Sequence, residues 1–99
     1  MNLEQQKKHF IEFSLKMESV MFSKGNDYAN SDRLSNFKLA GAISGGNAEL
    51  NCLNMIATKV ARLGVLLNSK DLPSNESVRD SILDLANYAV LLDAIIEDK

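Results

Sequence analysis

With 99 residues and a formal net charge of −2, the chain fits one domain, leaves no room for a second hydrophobic core, and lacks the broad basic field that holds duplex nucleic acid. Hydrophobic residues at 45% are enough to fold, and the single cysteine, Cys52, excludes an internal disulfide and lacks the spacing of a zinc site. The first eight residues have no apolar signal core, and the longest apolar run, residues 90–96, is broken by Asp93 and too short to cross a bilayer, so the chain reads as cytoplasmic with no membrane partner.

Residues 3 to 24 place Leu3, Phe10, Phe13 or Ser14, Met17, Val20 and Met21 at spacings that predict a first helix, with Gly25 as its left-handed C-cap. His9, beside Lys7 and Lys8, falls on the solvated face. Residues 24–46 form the irregular part. Asn26-Asp27 and Asn30-Ser31-Asp32 are turn and cap chemistry. Ser31 or Asp32 caps a short helix running from Arg33 towards Ala40, and Gly45-Gly46 ends the segment. Tyr28 and Phe37 are anchored rings: either they pin the loop to the helices, or they stack a base that Lys24, Asp27, Arg33 and Asn36 read or hold by a phosphate.

Asn47 caps a second long helix that runs to about Asn68, with Leu50, Leu53, Ile56 or Ala57, Val60, Leu63 or Gly64 and Leu67 as its apolar stripe. Cys52 within it is a small core residue. A second stripe carries Asn51, Asn54, Thr58 and Arg62, with Lys59 beside it. That stripe is either a hydrated face or one wall of a cleft, in which Lys59 or Arg62 pairs with Asp80 or Asp84 or meets a ligand phosphate.

A polar connection containing Pro73 leads to Ser74 or Asn75 as the cap of the last helix. Val78, Ile82, Leu85, Ala89, Leu92 and Ile96 form one stripe of it; Glu76, Asp80, Asp84 and Asn87 lie opposite. Beyond Asn87 the acidic longitude passes to Leu91, Ala94 and Ile95, so this half is apolar almost all round and requires burial on every side. The acidic stripe is thereby expected at the mouth of a packed interface, with Leu91 and Ile95 at a contact between subunits. Carboxylates in such a place need a cation, a metal or hydrogen-bond donors. The fold class is all-α: three main helices plus a short one in an antiparallel helical bundle, one domain over residues 1–99, assembling as a dimer or tetramer.

Taken in order, Lys24-x-x-Asp27-Tyr28, Asn36-Phe37, Lys59-x-x-Arg62-Leu63 and Glu76-Ser77-x-x-Asp80-x-x-x-Asp84-Leu85-x-Asn87-Tyr88 resemble the phage-enriched nucleotide modification associated family, allied to MazG-like all-α nucleotide pyrophosphatases. The resemblance spans residues 10–96. It implies a nucleotide pocket between helices and subunits, a phage or prophage source, and action in the cytoplasm of the infected host. It also implies that the family's acidic metal positions fall on Glu76, Asp80 and Asp84. The other half of that metal site departs from the pattern: Asn51 and Asn54 stand where MazG-like enzymes carry a Glu-x-x-Glu pair, and Thr58 precedes Lys59. Neutral amides hold Mg²⁺ poorly and weaken metal-assisted hydrolysis. The expectation is therefore a pocket without catalytic residues or cofactor, which binds a small nucleotide through Lys24, Asp27, Tyr28, Asn36, Phe37, Lys59, Arg62, Asp80, Asp84, Asn87 and Tyr88. Such a chain would sequester cyclic di- or oligonucleotide signals of bacterial immunity. The alternative is a Mg²⁺-dependent pyrophosphatase with Glu76, Asp80 and Asp84 on the metal.

Overall fold

The computed structural model describes residues 1–23, 32–69 and 75–99, the side chains of residues 75 and 76 excepted. Among the described residues there are four helices and no strand: α1 (Leu3–Ser23), α2 (Ser35–Ser44), α3 (Ala48–Asn68) and α4 (Asn75–Glu97). The protein is all-α. The chain divides into two compact units, Met1–Ser31 and Asp32–Lys99.

In the first unit, α1 opens on a reciprocal cap. The Asn2 side chain accepts from the Gln5 amide at 2.9 Å, while the Gln5 side chain accepts from the Asn2 amide at 2.8 Å. No residue of α1 is buried, and Phe10, Ile11, Leu15 and Phe22 are exposed. His9 is exposed, as its charged neighbours suggest, and stacks on Phe13 one turn away. The expected C-cap, Gly25, lies outside the described residues.

The second unit starts with Asp32, whose carboxylate accepts from the Leu34 amide at 3.0 Å and turns the chain into α2 two residues later than the pattern suggests. Lys38 donates to Asp32 at 2.7 Å and to Asp98 at 3.0 Å, tying α2 to the end of the chain. The hydrogen bond from Lys38 and that from the Leu34 amide hold the Asp32 carboxyl below its ordinary range, and Asp32 and then Asp98 raise Lys38 above its own. Helix α2 ends at Gly45, where φ is 78° and a side chain would be strained. The Gly46 amide donates back to Gly41 at 2.9 Å, and Asn47 then caps α3 by accepting from the Leu50 amide at 2.9 Å.

Helix α2 packs on α3 and α3 on α4. Three links fix α3 and α4 as antiparallel: Glu49 to Lys99 at 3.2 Å, the Cys52 thiol to the Tyr88 carbonyl at 3.4 Å, and Lys59 to Asp84 at 3.1 Å. The core lies where α2 meets the first half of α3 and the second half of α4. Leu34, Phe37, Cys52 and Ile95 are buried there, with Ala48, Tyr88, Leu91, Leu92 and Ala94 packed against them. Leu91 and Ile95 thus pack inside the subunit, rather than at the expected contact between subunits, because α2 roofs this end of the helix pair. Cys52 is fully buried, and desolvation pushes its thiol pKa up. It is expected to resist a maleimide reagent in the native protein and to react at once in urea; rapid native labelling, read by mass spectrometry, would show that this end of α3 opens.

By length and composition alone, α3 is the one described helix that meets the requirements of a membrane span. It carries Lys59 and Arg62 in its second half, the former in an ion pair with α4.

Candidate functional site

Side chains on a helix advance by about 100° per residue, so each link across the pair shows which longitude of each helix faces the other. On α3 that line runs through Cys52, Ile56, Lys59, Leu63 and Leu66; on α4 it runs through Ser81, Asp84, Tyr88, Leu91 and Ile95. None of these ten is exposed. Of the apolar stripes expected to pack, Leu50, Leu53, Val60 and Leu67 on α3 and Ile82, Ala89 and Ile96 on α4 are exposed, turned to one side of those lines. Ile56 and Leu63, in contrast, lie on the facing line of α3, and Val78, Leu85 and Leu92 on α4 are half-buried, Leu92 against the core. Because the helices are antiparallel, the exposed members of both stripes fall on one side of the pair. The polar stripes fall together on the other side.

That polar side is the candidate site. Asn51, Thr58 and Arg62 project there from α3, and Asp80 and Asn87 from α4, with Lys59 and Asp84 on its edge. The expected pairing of Lys59 or Arg62 with Asp80 or Asp84 takes the form Lys59–Asp84, at 3.1 Å, with side chains 24% and 32% exposed. Burial to this extent removes part of the water that would otherwise screen the pair. Arg62 and Asp80 are both exposed, one turn beyond it towards the C-terminal end of α3 and the N-terminal end of α4. Thr58 donates its hydroxyl to the Asn54 carbonyl of its own helix at 2.9 Å, and so turns along α3 rather than towards α4.

The structure separates the remaining residues singled out from the sequence. Asn87, although on the longitude of the polar side, is buried, 8% exposed, and so is not open to a ligand there. Phe37 is buried and meets Tyr88 edge to face, with ring centroids 6.4 Å apart, so both rings hold α2 to the helix pair. Asn36 is exposed on α2. Lys24, Asp27 and Tyr28, and the side chain of Glu76, lie outside the described residues. Among the described residues no group of three His, Cys, Asp or Glu side chains gathers to hold a metal ion.

Ser81 went unremarked in the sequence and is 3% exposed on the line facing α3, three residues before Asp84. Its phase with Asp84 and Tyr88 was the available signal. A small hydroxyl residue next to Asp80 on a helix is easily mistaken for a surface residue.

The arrangement offers a cation pair, Lys59 and Arg62, one turn apart along one edge, and carboxylates along the other. Lys59 is positioned by Asp84; Arg62 presents its guanidinium to solvent. This is chemistry for meeting an anion of more than one charge, such as a phosphate. No protein-family model matches the chain, and no match is found among curated proteins or solved structures.

Proposed function

We propose that the chain binds and sequesters a small nucleotide, of the cyclic di- or oligonucleotide class, on the polar side of α3 and α4. In this reading it is a phage protein acting in the host cytoplasm against nucleotide-signalled immunity. Its MazG-like helical bundle works as a dimer or tetramer and needs no cofactor. The observation that supports the reading most is the Lys59–Asp84 pair. A carboxylate required by a metal would have to give up its ammonium partner first. An ammonium held in place by one carboxylate, with Arg62 a turn away, can transfer to a more highly charged phosphate without reordering its side chain.

The alternative reading is a Mg²⁺-dependent nucleotide pyrophosphatase with Glu76, Asp80 and Asp84 on the metal. It draws on the placement of Asp80 and Asp84 one turn apart on one edge of the pair. Incubation with a panel of nucleoside triphosphates and cyclic dinucleotides, followed by chromatography of bound and released material, separates the two. Recovery of intact ligand from protein heated in EDTA is expected. Metal-dependent release of pyrophosphate or monophosphate would overturn the sequestering reading.

A further inference from the structure

We infer that two copies of this chain pair through the side of α4 that faces away from α3, antiparallel, about a two-fold axis passing at Ala86. The inference rests on the proposal that the chain self-associates, and it assigns the surface that does so.

On that side of α4 the sequence reads Arg79, Ile82, Ala86, Val90, Asp93. Ile82 is 41% and Val90 50% exposed, Arg79 and Asp93 are exposed, and Ala86 between them is half-buried. About 100° per residue places all five within roughly a third of the circumference, opposite the line through Asp84 and Tyr88 that faces α3. The order is self-complementary. An antiparallel two-fold at Ala86 sets each residue against the one equally far beyond the centre in the second copy. Ile82 of one copy then meets Val90 of the other, and Arg79 meets Asp93, twice over by symmetry. Alanine at the crossing lets the two backbones approach closely, so the flanking Ile and Val side chains interdigitate.

The charges decide the occupant. A chance apolar stripe bounded by like charges would repel its own copy, whereas Arg79 and Asp93 have opposite signs at equal distances from the centre. Only antiparallel self-pairing makes use of that equality; a different partner would have no need of it. Among the described residues no ion pair takes up either side chain. Their positions are not explained by the helix itself either. A cation towards the N-terminal end and an anion towards the C-terminal end is the order that the helix dipole disfavours. Reversing them leaves the helix no worse off, which makes the charge swap a clean probe.

The test is sedimentation velocity on the full chain across a concentration series, with circular dichroism as the check on folding. The wild type is expected to self-associate. Arg79→Asp and Asp93→Arg are each expected to weaken association at least tenfold, since each sets two like-charge pairs across the axis. The Arg79→Asp/Asp93→Arg double variant is expected to return to within a few fold of wild type. Ala86→Arg, which puts a long charged side chain at the crossing, is expected to abolish the pairing with helix content unchanged. Association that is indifferent to the single swaps, or that the double variant fails to restore, overturns this surface while self-association stands. A wild type that stays monomeric at micromolar concentration overturns both.

Discussion

Gly41→Ala is expected to lower the stability of the Asp32–Lys99 unit by about 3 kcal/mol or more, the upper end of what overpacking costs. Helix propensity alone gives the opposite sign, because alanine in an open helix position is worth about 1 kcal/mol over glycine. The geometry at the α2–α3 corner reverses it. A Cβ on Gly41 would lie 2.5 Å from the Asn47 carbonyl carbon, 2.7 Å from its oxygen and 2.8 Å from the Ala48 nitrogen. These are backbone atoms, and they are fixed from both sides. The Gly46 amide is bonded to the Gly41 carbonyl, and Asn47 is committed to capping α3. The clash can be relieved only by opening the corner, and the corner is what carries Phe37 onto Tyr88. Urea titration followed by circular dichroism measures the effect. A midpoint that rises would mean that the close approach of Asn47 to Gly41 is not what holds α2 on α3.

The same corner shows what was legible in the sequence. Gly45-Gly46 as a stop and Asn47 as a cap are local chemistry, set by a few neighbouring residues, and both stand where the pattern places them. Cys52 as a core residue follows from its small apolar side chain, and it is fully buried. The phase of the packed faces was harder to read. Of the expected α3 stripe, Leu50, Leu53 and Val60 are exposed, and only its alternative members Ile56 and Leu63 lie on the line that faces α4, together with Cys52 and Lys59. Hydrophobic periodicity identifies the greasiest face of a helix, and α3 and α4 each have two faces apolar enough to pack. Which of them meets a neighbour depends on α2, whose Phe37, with the N-cap residue Leu34, completes the core around Ile95. That is a long-range contact, invisible to spacing. Of the candidate site, the Lys59–Asp84 link followed from opposite charges on facing stripes. The burial of Phe37 against Tyr88 did not, since an aromatic residue beside a loop serves packing and stacking equally well.

Asp84→Asn is expected to divide the two functional readings by sign. In the sequestering reading the substitution frees the Lys59 ammonium from its partner at 3.1 Å, so affinity for a phosphate-bearing nucleotide is kept or rises. In the pyrophosphatase reading it removes a metal ligand, and turnover is lost. The cations provide the scale. Arg62 is exposed, so Arg62→Ala is expected to leave stability within about 0.5 kcal/mol, as for most surface substitutions. The same change should lower nucleotide affinity more than tenfold, since a charge-assisted contact is worth roughly 1.5–3 kcal/mol. Lys59→Met is expected to lower affinity by as much and also to cost about 1 kcal/mol of stability, because Asp84 is left half-buried without its partner and water recovers only part of the loss. Calorimetric titration with cyclic dinucleotides and chromatography of products, each in EDTA and in Mg²⁺, measure all three variants against wild type. Binding indifferent to both Lys59→Met and Arg62→Ala would move the ligand off this side of α3. Hydrolysis that needs Mg²⁺ and disappears in Asp84→Asn would leave the Lys59–Asp84 pair as the resting state of a metal site.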